Sequence, residues 1–425
     1  MLFSLHGLRR LYLAIISFCL LTSYLMLSAR EFLASVFAGH ADPIHLARAV
    51  RLSPGNADYL NRLGRYFVFG VSDPQAGLAP LRAAVQLNPH QANYWFDLAA
   101  AYQLLGDSQW QQAALERAVE VEPTAPNVAW EAANFFLVQG DLERALREFR
   151  VVVENDPYLP AAALETCWRA RPDTDLLLRD VVPNRSDSLL TFLTLLTNKG
   201  ETDGSFKVWD RLLQLHQKFD ARYLLDYVRY LILVHRPDAA LAAWEQSAAI
   251  LGLSSYLPGP DNLIVNGDFS LDVLNGGLDW TYQTQTGVQL LLDPSNFREG
   301  YRSLSVTFEG PGISGAGIRQ FVPVQGGTAY EFSASYKSAD FQGAGGPVIA
   351  LRDAYTGQVF FTSDPMTDGD FWKPVHAEFT TSPSTNLLIV TIERAPAGSP
   401  IRGKLWLDDF QLHPQEAKDD SKDHS

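Results

Sequence analysis

LRAAVQLNPHQANYWFDLAAAYQLLGDSQWQQAALERAVEVEP, residues Leu81–Pro123, holds one complete unit of a repeat and the end of the unit before it. It closes twice in the same way. An Ala-rich amphipathic segment, LRAAVQL or LERAVEV, runs into Asn88-Pro89 and then into Glu122-Pro123. The same mark recurs at Asp156-Pro157, and Ser53-Pro54 follows the matching segment HLARAVRL. Prolines 54, 89, 123 and 157 are therefore spaced by 35, 34 and 34 residues. Proline lacks the N–H that a continuing helix needs, so each one closes a helix. A fixed period of this size marks stacked supersecondary units.

Within the unit that starts near Ala92, Trp95, Leu98, Ala99 and Tyr102 follow a large, large, small, large order, and Leu115 and Ala118 mark a second helix. The next unit carries Ala132, Ala133 and Phe136, then Ala145, Phe149 and Val152; the earlier one carries Leu63, Gly64 and Phe67. Small residues at Gly64, Ala99 and Ala133 let two helices approach closely while the aromatics fill the gaps. With its 34-residue period, this pattern resembles the tetratricopeptide repeat (TPR). The resemblance implies a concave groove lined by the first helix of each repeat, with Arg62, Arg65, Asn93, Phe96, Asp97, Asn127, Trp130 and Asn134 at the groove positions. Amides there can grip the backbone of a protein or peptide partner through both donor and acceptor. The competing reading packs Phe96 and Trp130 against a neighbouring helix and leaves the charged members on a solvated face. Downstream, 160–170, 173–182, 186–198, 205–218, 221–234 and 238–251 read as further amphipathic helices, for five or six hairpins in all.

Before the repeats, Leu11–Leu27 is 17 residues without a charge, enough to cross about 30 Å of hydrocarbon. Arg9 and Arg10 precede it, while Arg30 and Glu31 follow with no net charge. The positive-inside rule then places residues 1–10 in the cytoplasm, 11–28 in the membrane and the bulk of the chain outside. A cleaved signal peptide is the competing reading, with Val36-Phe37-Ala38 as its cleavage site. That site lies well beyond the apolar run, behind Arg30 and Glu31, so an uncleaved anchor is expected.

The formal charge of −14 and the absence of a basic patch exclude nucleic-acid binding. Two cysteines, Cys19 and Cys167, exclude a disulfide framework and a Cys-based zinc site. No HExxH, nucleophile elbow or kinase signature occurs, and no catalysis is expected. Gly310-Pro311-Gly312-Ile313-Ser314-Gly315 fits G-x-G-x-x-G by its letters, but a strand-like segment follows it in place of a helix, so it reads as a loop.

Pro258, Gly259 and Pro260 end helical periodicity, so the repeat domain spans 43–252 and a linker 253–261. From 262 to 414, short runs rich in Val, Ile, Thr, Phe and Tyr alternate with turns: 287–292, 303–309, 329–336, 347–352, 358–362, 373–380, 387–393 and 404–412. About eight strands predict a β-sandwich of jelly-roll type, so the fold class is an N-terminal transmembrane helix, an α-solenoid and a C-terminal sandwich. Residues 415–425 read as a charged, disordered tail. The landmarks NLIVNGDFS (Asn262–Ser270), Trp280, REGYRSLSV (Arg298–Val306), VPVQGGTAYEFSASYKS (Val322–Ser338), FWKPVHAEFT (Phe371–Thr380) and LWLDDFQL (Leu405–Leu412) occur in order. Together they resemble the xylan- and glucan-binding carbohydrate-binding modules.

That resemblance implies a structural Ca²⁺ joining the opening segment to the last strand, with Asp268 and Asp408 or Asp409 as ligands. Ser270 stands where the family has Glu, and the competing reading makes Asp268 a local turn. For glycan contact, the resemblance leaves Tyr282, Phe341, Arg352, Tyr355 and Glu393, with Trp280 and Trp372 in the core and Ser335 where the family has an aromatic. Anchor, repeats and sandwich together resemble bacterial cell-envelope proteins. The expectation is a non-catalytic inner-membrane scaffold whose groove binds an envelope protein and whose sandwich contacts a polysaccharide under assembly or export. The alternative is a protein–protein adaptor whose sandwich binds no sugar.

Overall fold

The computed structural model describes residues 7–40 and 42–415; the first six residues and the charged tail from 416 onward lie outside them. The chain divides after Pro183 into two compact units.

In the first unit, α1 (Gly7–Ala38) is one uninterrupted helix of 32 residues. It continues past the apolar run, and Ala34 and Ala38 near its end are buried together with Leu46 and Ala49 of α2 (Pro43–Leu52). The end of the apolar helix is thus the first arm of the first hairpin. The Val36-Phe37-Ala38 site falls inside this packed segment. Hairpins follow from α3 (Ala57–Arg65) with α4 (Pro74–Leu87), α5 (Ala92–Leu104) with α6 (Ser108–Val121), and α7 (Pro126–Val138) with α8 (Leu142–Asn155). α9 (Pro160–Ala170) and α10 (Thr174–Asp180) come after and pack on α8.

Asp42, Asn56, Asp73, Asp107 and Asp141 cap their helices by accepting backbone N–H bonds in the first turn, which satisfies donors the helix cannot. The small positions act as the repeat pattern requires. A Cβ on Gly64 would lie 2.5 Å from Cγ of Leu81, and one on Gly77 would lie 2.6 Å from Cγ2 of Val68. Leu98, Ala99, Tyr102, Leu115, Ala118, Ala132, Ala133, Phe136 and Phe149 are all buried.

The second unit begins with α11 (Ser186–Lys199) and α12 (Thr202–Gln214), then α13 (Ala221–Leu233) and α14 (Pro237–Leu251). The strands are β1 (Thr281–Tyr282), β2 (Val288–Asp293), β3 (Ser303–Gly312), β4 (Gly315–Pro323) and β5 (Ala329–Gln342), then β6 (Gly346–Asp353), β7 (Val359–Thr362), β8 (Gly369–Thr380), β9 (Leu387–Ala395) and β10 (Pro400–Pro414). They form two antiparallel five-stranded sheets, in the orders β1-β4-β9-β6-β7 and β2-β3-β10-β5-β8. All eight expected strands are present. β1 is too short to show a period, and β4 alternates in burial but hides it in sequence, because the polar Gln320 is buried and the apolar Phe321 points outward. The Gly310–Gly315 stretch is the corner at which the chain leaves one sheet (β3) for the other (β4), so no phosphate loop forms there.

Phe269, Trp280 and Phe410 meet ring against ring in the core, and Tyr330, Phe332 and Ala334 are buried on one face of β5. Trp372 is only half-buried. The opening segment is stitched to β10 by Asn262, whose amide donates to the Phe410 carbonyl at 3.0 Å and accepts from the Leu412 N–H at 3.0 Å. Gly267 admits the same strand so closely that a Cβ would lie 2.1 Å from the Phe410 carbonyl oxygen.

The expected linker at 253–261 does not separate helices from sandwich. A Cβ on Gly277, at φ +65°, would lie 2.0 Å from the Trp244 ring of α14. The Trp244 indole N–H donates to the Tyr256 carbonyl, and the Tyr256 hydroxyl to the Asp272 carbonyl, both at 2.8 Å. Tyr355, after β6, donates to the Ile232 carbonyl at 3.0 Å and stacks on His235 at 4.0 Å. Helices α13 and α14 therefore share one body with the sandwich. Removing a buried tryptophan costs about 3–5 kcal/mol. Trp244→Ala is accordingly expected to lower the melting temperature of residues 184–415 and to open 253–261 to limited proteolysis, with the intact fragment resisting cleavage there.

Asp279 is fully buried; one oxygen accepts the Leu274 N–H at 2.7 Å and the other has no partner. Burial pushes its carboxyl from 3.8 up to about 7, because a charge is costly in an apolar surround. The folded value lies above the unfolded one, so this contribution to stability is full below about pH 4 and is lost as pH rises to about 7. Denaturant titrations of residues 184–415 across that range are expected to show this decline, and Asp279→Asn to make it shallower.

Candidate functional site

The first helices of successive hairpins enclose a groove of about 500 Å³. Five of the eight positions expected from the repeat pattern line it: Arg65, Asn93, Phe96, Asp97 and Asn134. At its floor Asp97, only 6% exposed, accepts from Arg65 Nη1 at 2.6 Å and from Asn61 Nδ2 at 2.7 Å. The pair is internally neutral, so the groove offers polar hydrogen-bonding groups more than net charge. Asn93 is exposed. Asn134 donates to the Trp130 carbonyl at 2.7 Å, one turn back, which leaves its own carbonyl oxygen for a ligand. Phe69, Phe135 and Val138 add apolar walls that sequence reasoning missed. Phe69 and Val138 sit one turn beyond Arg65 and Asn134, and Phe135 directly follows Asn134, where the repeat pattern alone does not say which side of the helix faces the groove.

The other three stand elsewhere. Arg62 pairs with Asp58 at 2.8 Å and, with His40 and Tyr66, lines an adjoining cleft that shares Arg65 and Phe69 with the groove. Trp130 meets Phe149 edge-on at 5.8 Å, which is the neighbouring-helix packing described above. Asn127 is exposed and outside the groove lining.

In the second unit, a cavity of about 370 Å³ lies between α13 and the sheet that begins with β1 and β4. Tyr282, 43% exposed, and Phe321 supply its rings, with Asn275, Gln283 and Arg319 beside them. The Arg319 guanidinium lies 5.5 Å over Phe321. On α13, Asp226 and Arg229 pair at 2.8 Å at its rim. This arrangement combines an aromatic face with amides and a cation. Of the five expected glycan contacts, only Tyr282 is in it.

The others make internal contacts. Arg352 and Glu393 form two hydrogen bonds, at 3.0 and 2.8 Å, and their mutual attraction holds Glu393 below and Arg352 above the ordinary values. Phe341 packs against Phe308 at 6.1 Å, and Tyr355 is engaged by α13 and His235.

The residues expected to hold Ca²⁺ do not fit one. Asp408 is fully buried and accepts the backbone N–H groups of Arg298 at 2.6 Å, Glu299 at 3.1 Å and Asp409 at 2.8 Å. Burial raises its carboxyl to about 6. Asp409 faces the Gln411 amide at 2.6 Å and Nε of Arg298 at 3.5 Å. Asp268 accepts from the Ser270 N–H at 3.2 Å, a local turn. The neighbouring Ser270 carbonyl accepts from Arg302 at 3.0 Å. Donors surround these oxygens where a hard cation requires converging acceptors. Among the described residues no three His, Cys, Asp or Glu side chains converge on a metal position.

No protein-family model matches the chain, and no curated protein matches it. Among solved structures it is similar to a CBM4 module at 17% identity, over 36% of this chain and 99% of that one, with a TM-score of 0.28. It is similar to the CBM22-1 xylan-binding domain of Paenibacillus barcinonensis Xyn10C at 18% identity, over 38% and 98%, with a TM-score of 0.26. It is also similar to PilF of Pseudomonas aeruginosa at 18% identity, over 47% and 93%, with a TM-score of 0.22. The neighbours of this chain thus include both TPR-like proteins and carbohydrate-binding modules.

Proposed function

We propose that this protein is a non-catalytic scaffold held in a bacterial inner membrane by α1, with its N-terminus in the cytoplasm and its bulk outside. Its groove docks an extended peptide of an envelope partner, and its sandwich contacts a glycan during surface-polysaccharide assembly or export. The observation that carries the reading is the groove, where Asn93 and Asn134 offer backbone-matching polar groups between Phe69, Phe96 and Phe135. Retention of the anchor is supported by the burial of Ala34 and Ala38 in the first hairpin, since cleavage after Ala38 would strip α2 of its partner.

For glycan contact the support is the cavity under α13, where Tyr282 and Phe321 offer apolar faces to a sugar ring and Asn275, Gln283 and Arg319 reach its hydroxyls. The second reading is the adaptor whose sandwich binds no sugar. It draws on the engagement of Arg352, Glu393 and Tyr355 in internal contacts.

Two measurements on the full chain in lipid nanodiscs separate these readings. A displayed library of unstructured peptides is expected to yield binders that Asn93→Ala/Asn134→Ala weakens tenfold or more, given about 1 kcal/mol or more for each lost amide contact; binders indifferent to that variant would remove the groove from the proposal. Retention on immobilised xylan, β-glucan and uronate-rich polysaccharides is expected for one class and is lost in Tyr282→Ala/Arg319→Ala. Retention on none leaves the adaptor.

A further inference from the structure

The first hairpin places part of the repeat domain at the membrane surface. α1 carries no break between its apolar run and its packed end, and Ala38 lies eleven residues, about 16 Å, beyond Leu27. α2 then runs back beside α1 for ten residues, about 15 Å. The antiparallel return is fixed by contacts along it: His45 against Phe37 and His40, then the Arg48 guanidinium 5.8 Å over the Phe37 ring. Arg51, in the last turn of α2, therefore comes back to about the level of Leu33, six residues or about 9 Å past the apolar run.

Two further observations belong to this level. Arg48 and Arg51 are exposed, and among the described residues neither has a carboxylate partner. The nearby Arg30, Arg62 and Arg65 are all paired. Beyond Arg30, α1 also leaves Phe32 67%, Leu33 47% and Val36 45% exposed, an apolar strip that suits the interfacial zone outside the hydrocarbon.

We propose that α2 is a lipid-binding helix, in which Arg48 and Arg51 hold the phosphates of anionic phospholipid headgroups. The loop Ser53–Asn56 and the first repeats then lie against the bilayer. This rests on α1 being a retained membrane span. Helical continuity sets the height of the hairpin, and the two arginines complement the negative surface that the helix brings to them.

The test uses the full chain in nanodiscs of phosphatidylcholine with and without phosphatidylglycerol. A fluorophore is placed at Gly55→Cys, where a Cβ meets open space, or at Val71→Cys at the other end of the α3–α4 hairpin, in a Cys19→Ser background. Quenching by headgroup nitroxide lipids is expected at position 55 and not at 71. The enrichment of phosphatidylglycerol over phosphatidylcholine among retained lipids is expected to fall about fivefold for each arginine removed in Arg48→Gln/Arg51→Gln. Both substitutions are on exposed positions, and an unchanged melting temperature confirms that the hairpin is intact. An unquenched label at 55, or lipid enrichment unchanged in the double variant, overturns the proposal while leaving the span in place. A chain recovered from membranes without its first 38 residues overturns the span itself and is read by mass spectrometry alone.

Discussion

Close approach of a neighbour at positions with little or no side chain is the constraint on which both units depend. Ala34 and Ala38 are buried where α2 packs on α1, Gly64 and Gly77 admit α3 and α4 to each other, and Gly277 receives the ring of Trp244. At each of the three glycines a Cβ would stand within 2.6 Å of a neighbouring side-chain atom. Close packing fails over a whole neighbourhood when one such pair is held apart.

The repeats were legible because a 34-residue period with proline stops reports both the helix boundaries and the small positions. The sandwich was legible because eight of its strands are short runs of β-forming residues bounded by turn residues, whether they alternate as β5 does or are buried throughout as β6 is. What the sequence did not disclose was partnership at long range. Nothing local in Trp244 or Tyr355 says that one covers a glycine 33 residues on and the other reaches back to Ile232. The Pro258-Gly259-Pro260 stretch correctly marks a change of backbone, yet a change of backbone is not a change of body.

The site residues divide along the same line. Arg65, Asn93, Phe96, Asp97 and Asn134 came together because helical period fixes a face. Trp130 did not, since a large aromatic on a repeat helix finds a neighbour such as Phe149 before it finds solvent. In the sandwich, neither the strand-end Arg352 nor Asp408 within β10 carries a periodic signal for which side chain or backbone group it meets. Arg352 met Glu393, and Asp408 met the N–H groups of a returning loop. Where the resemblance implies Glu, this chain has Ser270, whose carbonyl accepts from Arg302.

The joining of α13 and α14 to the sandwich has a mechanical side. A flexible connector would let the sandwich swing and would dissipate any pull on it. Here the sandwich is tied to the helical hairpin at two separate places, the Trp244–Gly277 contact and the Tyr355–His235 stack. A pull on the sandwich is therefore carried into α13 and α14 through both ties.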